Sequence, residues 1–194
     1  MARSPARAVV AGCLIICSAV PSAPVCDSGN GGIRLPAGFC AAVYADHVGI
    51  TRHLVVAPNG DVFVSVGDSR ASTTSWIGRT FPDSGRPGVV WLRDNDSDGR
   101  ADRGSRIEVP ANTGIAFRDP WLYVATRQQV LRIRINLERF GVWGRPDTLV
   151  TGFPEGGHNS KSLALDDAGH LFVSVGSNSN ACRPSRSVPA PDPC

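Results

Sequence analysis

The sequence has little of what would build helices, bind nucleic acid or cross a membrane. It contains a single lysine, Lys161, among 20 basic residues, and the arginines are scattered along the chain with no clustered face. That distribution gives no basic footprint for nucleic acid. There is one methionine, and there are two tyrosines. No stretch of a dozen residues shows helical periodicity, and after the first 23 residues no apolar run is long enough to span a bilayer. C-x-x-C spacing, a G-x-S-x-G elbow, a phosphate-binding loop and the dinucleotide-binding glycine pattern are all missing. What is abundant is punctuation: 21 glycines and 15 prolines in 194 residues, a composition of many turns and short strands.

Residues 1–23 read as an export signal. Arg3 and Arg7 precede the apolar stretch Ala8 to Val20, and Ala19 or Ala23 could end the cleaved segment. Val10-Ala11-Gly12-Cys13 superficially matches a lipoprotein box but comes before the apolar run is finished. The expectation is a secreted or periplasmic chain, not a lipid-anchored one, with residues 24–194 as the mature part. Without the leader, 18 basic residues face 17 acidic ones. Four cysteines remain, Cys26, Cys40, Cys182 and Cys194. An even number in an exported chain favours disulfides. Of the three pairings, the two local ones would each close a short loop.

A repeat organises the mature part. Residues 54–67 (LVVAPNGDVFVSVG) and 163–176 (LALDDAGHLFVSVG) share an apolar run, a turn ending in glycine and a second hydrophobic strand. Residues 115–126 (IAFRDPWLYVAT) form a looser third copy. Phe63, Tyr123 and Phe172 are separated by 60 and 49 residues, a period that belongs to β-propellers. Between the copies, GVVWLR (88–93) reads as a buried strand. VLRIRI (130–135) reads as a half-exposed one, with Leu131, Ile133 and Ile135 opposite Arg132 and Arg134. The fold expected is all-β: a β-propeller of about three blades from a six-bladed ring, truncated. A β-sandwich is the rival. Three blades alone would leave sheet edges open.

Two motifs can carry chemistry. Asp94-Asn95-Asp96-Ser97-Asp98-Gly99, with Asp102 following, alternates hard oxygen donors as a Ca²⁺ loop does. Ser105 stands where the bidentate glutamate would be, and the plain alternative is a polar hairpin turn. The second motif is GFPEGGHNSKS (152–162), which leads into the third repeat copy. Its His158 follows two glycines and is of the residue type that takes a proton from a hydroxyl near neutral pH. By spacing alone, it reads first as an ordinary surface or hydrogen-bonded histidine. Trp76, Trp91, Trp121 and Trp143 form no stripe and read as packing residues, and His47, His53 and His170 lack metal-ligand spacing.

The progression LPAGF…VYA (35–45), APNGDVFVS, GVVWLRDNDSDGRAD, GIAFRDPWLYVAT and GFPEGGHNSKSLALDDAGHLFVSVGSNSNAC resembles the soluble aldose and sorbosone dehydrogenase-like propellers that depend on pyrroloquinoline quinone (PQQ). The resemblance covers residues 33–182, and H-N-S-x-S-L followed by L-F-V-S-V-G is its most specific part. It implies an oxidoreductase in which His158 removes a proton from a sugar hydroxyl as hydride passes to PQQ. Ca²⁺ would polarise the quinone, and an external acceptor would take the electrons. It also implies that Gly176, Ser177 and Asn178 lie near the cofactor. Gly157 departs from the acidic residue of the glucose-oxidising members, and the cations that grip the quinone would come from later blades. A Ca²⁺-dependent lactonase and a non-enzymatic glycan- or protein-binding propeller are the other readings.

Overall fold

The computed structural model describes residues 26–67, 87–111, 113–154, 158 and 160–177. The expected Cys182–Cys194 pair, Asn178 and Trp76 lie outside them. Among the described residues, ten strands form three antiparallel sheets. The first sheet is β1 (Thr51–Val56), β2 (Val62–Val66), β3 (Gly88–Arg93) and β4 (Arg103–Ile107), paired in that order. The second is β5 (Ile115–Arg118), β6 (Trp121–Ala125), β7 (Val130–Asn136) and β8 (Gly141–Val150). The third, among the described residues, is β9 (Lys161–Leu165) with β10 (Leu171–Val175). Among the described residues, a 3-10 turn at Asn30–Gly32 is the remaining regular element.

Period-two sequence explains the pairing. Leu54 faces Val64, Ile115 faces Val124 and Leu163 faces Val173 in three hairpins of matching pairing, though the middle one turns through two residues instead of five. Each copy thus puts the same repeat positions on the same side of its sheet. The tight turns close at Gly60 (φ +89°) and Gly169 (φ +90°), a backbone region that favours glycine. The leading strands of successive sheets lie side by side, β1 against β5 and β5 against β9. This arrangement of side-by-side meanders is consistent with a β-propeller-like architecture.

The core sits between the first two sheets. Phe63 and Trp91 project from one side, and Ile115, Leu122, Val124, Leu131, Ile133 and Ile135 answer from the other. The Phe63 ring stacks on Phe117 at 5.4 Å between centroids and tilts against Trp91 at 4.9 Å. Apolar area removed from water at this seam is the main stabilising term, at roughly 25 cal/mol per Å². On the opposite face of the first sheet, Tyr44, Ala45 and Val48 cover Val64, Val66, Val90 and Leu92. The segment carrying them is anchored by the Cys26–Cys40 disulfide, with Cα atoms 5.7 Å apart, one of the two local pairings expected.

The structure differs from the sequence reading in two places. The aspartate motif read as a turn leading to a strand at Arg106–Val109, whereas β4 already begins at Arg103. Strand β8 was not apparent because Gly144 and Pro146 interrupt it and its register on β7 shifts twice. Trp91 is buried as expected, but Trp143 on β8 is half exposed and lies beside Arg134.

Candidate functional site

Strand direction decides which loops share an end of the molecule. Each sheet starts its first strand at one end and turns at the other. The starts of β1, β5 and β9, the ends of β2, β6 and β10 and the β6–β7 turn therefore lie together. This end, called the upper rim, carries His158, Ser160, Gly176 and Ser177. The lower rim carries the hairpin turns at 57–61, 119–120 and 166–170, and also the β3–β4 loop with the aspartates.

At the upper rim the β9–β10 ladder continues past its strands. The Gly176 N–H donates to Ser160 O at 3.3 Å, and the His158 N–H donates to Ser177 O at 3.2 Å. A side chain on Gly176 would place its Cβ 2.0 Å from His158 O. Only glycine admits so close a backbone approach. The structure therefore brings His158, Gly176 and Ser177 together, with His158 and Ser177 exposed to solvent. Asn178, the third residue expected beside a cofactor, is outside the described residues.

The loop's footing was not visible in the sequence. Thr113 Oγ1 donates to Lys161 O at 2.7 Å and accepts the Lys161 N–H at 2.9 Å. Ser65, fully buried, donates to Thr113 O at 2.8 Å. Three sheets are thus linked in series. The Lys161 side chain is itself 1% exposed. Its Nζ donates to Arg127 O at 2.6 Å in the β6–β7 turn and sits 5.0 Å from the centre of the Phe153 ring. Burial pushes its ammonium pKa down. The sole signal in the sequence was its being the one lysine among arginines.

The aspartate loop lies at the lower rim, at the far end of the sheets from His158. Carboxylate oxygens of Asp94, Asp96 and Asp102 come within 4.8 Å of one another. Asp94 also accepts the Ser97 and Gly99 N–H groups, and Asp102 accepts that of Asn95. Asp98 is not one of the converging three; it accepts the Arg100 N–H at 2.8 Å. Desolvation, then the charges of Asp102, Asp98 and Asp94, raises the Asp96 carboxyl above its ordinary value. Three hard oxygen donors fit Ca²⁺ in kind. Their position separates this loop from any cofactor at the upper rim.

Beside that loop, Asp61 is buried beneath a closed network. It accepts from Trp91 Nε1 at 2.8 Å and from Arg93 Nε at 2.6 Å and Nη2 at 2.5 Å. Arg93 Nη2 also donates to Leu137 O, and its guanidinium lies 4.8 Å from the Phe140 ring centre. Burial alone would raise the Asp61 carboxyl. The hydrogen bonds from Arg93, Asn59 and Trp91, with the Arg93 charge, outweigh it and hold the pKa below 3.8. This is a structural ion pair within the first sheet, and Arg93 ties it to the second sheet through Leu137 O. His170, at the 166–170 turn, is exposed and pairs with Asp166 at 2.7 Å.

Solved structures share this arrangement of strands. The PQQ domain of pyranose dehydrogenase from Coprinopsis cinerea superposes with a TM-score of 0.55 at 13% identity, over 70% of this chain and 30% of its own. The calcium and iodide structures of a Trichoderma reesei carbohydrate-active enzyme of family AA12 each superpose with a TM-score of 0.52 at 20% identity. They cover 75% and 76% of this chain, and 36% and 37% of theirs. The likeness is one of fold. The chain spans about a third of the length of each of these structures. No protein-family model matches it, and no curated protein does.

Proposed function

We propose that the upper rim binds a sugar or related alcohol and that His158 is the base for its oxidation. A ring nitrogen of His158 takes the hydroxyl proton while the hydrogen on the same carbon leaves as hydride, so the carbinol becomes a carbonyl. A bound quinone of the PQQ type would supply the hydride acceptor, and an external acceptor would then remove the electrons. The observation carrying this reading is the seating of His158. Its backbone is held against Gly176 and Ser177, at the rim where three sheet ends meet. The fold likeness to a PQQ domain and to family AA12 supports the choice of chemistry.

The residues present fit one side of such a site. His158 provides the base, Ser177 a hydroxyl, and the Gly176 approach keeps the imidazole's backbone fixed. Asn178 is proposed as a further cofactor-binding residue from the family resemblance alone. A planar tricarboxylate also needs cations, and among the described residues Arg127 in the β6–β7 turn and Arg52 at the start of β1 are exposed at the same rim. Asp94, Asp96 and Asp102 would hold a Ca²⁺ ion that stiffens the β3–β4 loop, with Asp98 turned to the backbone; this ion takes no part in proton transfer. Residues 1–23 are read as a leader and 24–194 as the exported, secreted or periplasmic propeller segment. The Cys26–Cys40 disulfide agrees with an oxidising compartment.

The test is dye reduction by the purified protein with PQQ, Ca²⁺ and a panel of aldoses, alongside quinone binding followed by absorbance. His158→Ala should abolish turnover and leave quinone binding in place. Turnover unchanged in that variant would refute the assignment.

A further inference from the structure

We propose that Lys161 is a positioning residue of the upper rim: its buried ammonium clamps the β6–β7 turn and so fixes Arg127 and Gln128 relative to the backbone that carries His158. The role rests on the oxidation proposed above, which gives the clamp a ligand to serve. Lys161 does not touch the reacting atoms. It acts through the turn and through the strand it begins.

The start of that strand is fixed first. Lys161 opens β9, and both polar atoms of its backbone bond to Thr113 Oγ1, while Thr113 O is held in turn by Ser65. From this fixed point the side chain runs inward and is 1% exposed. Its Nζ reaches Arg127 O at 2.6 Å, and the centre of the Phe153 ring lies 5.0 Å away. An ammonium withdrawn from water needs polar partners, and a peptide carbonyl is a strong one. Lysine suits the place because its charge is compact and sits on a flexible stem. The planar fork of an arginine asks for more room and more acceptors.

The turn is tied both within itself and from outside. Within it, the Thr126 N–H donates to Gln129 O at 2.8 Å, and Thr126 Oγ1 accepts the Gln128 and Gln129 N–H groups at 3.2 and 3.0 Å. Thr126 is buried, whereas Arg127 and Gln128 are exposed at the tip. From outside, both carbonyls of the tip are taken by residues that flank His158 in sequence. Gln128 O accepts the Phe153 N–H at 3.4 Å, and Arg127 O accepts Lys161 Nζ. His158 therefore lies between two anchors set on one turn. A tip held in this way presents its guanidinium and carboxamide from a fixed base. Such preorganisation strengthens binding by lowering the ordering cost that a ligand must meet.

The experiment compares the wild type with Lys161→Met, which keeps the length of the stem and lacks the donor. The readouts are amide exchange and the binding of PQQ followed by absorbance. The Gln128, Gln129 and Phe153 amides should exchange about tenfold faster in the variant, as expected on losing a charged hydrogen bond to the turn, while the β9–β10 ladder keeps its protection. The PQQ dissociation constant should rise about tenfold or more. Asp61→Asn, destabilised at the far rim, should bind PQQ as the wild type does, which separates positioning from loss of stability. Lys161→Gln keeps a neutral donor and should fall between wild type and Lys161→Met. It carries the comparison if Lys161→Met does not fold. Unchanged exchange in the turn would overturn the clamp. Unchanged PQQ affinity in a variant whose turn has loosened would overturn the positioning role, as would an equal loss of affinity in Asp61→Asn. A wild type that binds no PQQ would refute the proposed function and the positioning role with it, leaving the exchange rates to decide the clamp.

Discussion

Removing the charge of Asp61 tests whether the lower-rim network holds the first two sheets together. The side chains of Asp61 and Arg93 are 1% and 18% exposed, and the carboxylate takes three hydrogen bonds at 2.5–2.8 Å. Asp61→Asn keeps an acceptor for Trp91 but leaves the Arg93 guanidinium without a counterion. Orphaning one member of a buried pair costs about 3–5 kcal/mol. The lower figure applies because Arg93 keeps Leu137 O and the Phe140 ring. A loss of ~3 kcal/mol corresponds to a fall in thermal midpoint of roughly 6–12 °C for a chain of this size. Arg93→Met in the Asp61→Asn background should recover part of that loss, giving a coupling of about 2 kcal/mol in a double-mutant cycle. The pH dependence follows from the depressed carboxyl. Between its folded value and 3.8 the unfolded chain binds the extra proton, so the stabilisation is complete well above pH 3.8 and drains away as pH falls through the folded value. Urea titrations from pH 7 to pH 3 should show this slope in the wild type and a weaker one in Asp61→Asn. A single-variant loss below about 1 kcal/mol, or strictly additive effects, would refute the reasoning.

Gly176→Ala should cost about 1–3 kcal/mol in chemical denaturation, as expected of an overpacked site, and should displace the His158 loop, visible as shifted His158 imidazole resonances. Thr113→Val removes both hydrogen bonds to the Lys161 backbone and should destabilise by about 1–3 kcal/mol, with faster amide exchange concentrated in β9. Millimolar Ca²⁺ should raise the thermal midpoint of the wild type and not of Asp96→Asn. Dye reduction, if present, should be the same in that variant, because the loop stands at the far rim.

Much of the architecture was legible because it is written in alternation. The LVVAPNGDVFVSVG and LALDDAGHLFVSVG hairpins, the buried GVVWLR strand and the two-faced VLRIRI strand follow from side chains that must point to one side or the other. Strand β8 was hidden because its bulges break that period. The candidate site was legible only in part. His158 with Gly176 and Ser177 came from a local motif, and the fold does place them together. The separation of the aspartate loop from His158 depends on how many times the chain reverses between them, which no motif records. The burial of Asp61 depends on Arg93, thirty-two residues later, and in sequence Asp61 reads as one more turn residue. Thr113 and Lys161 likewise gain their roles from a contact forty-eight residues long.

The third sheet is fastened unevenly. Near its start it is gripped by Thr113 and by the Lys161 ammonium, whereas at its other end the hydrogen bond from Arg118 Nη2 to Asp167 O, at 3.0 Å, is solvent-exposed. Under heat or load it should peel like a page from a binding, lifting first at the 166–170 turn while the edge beside His158 stays sewn.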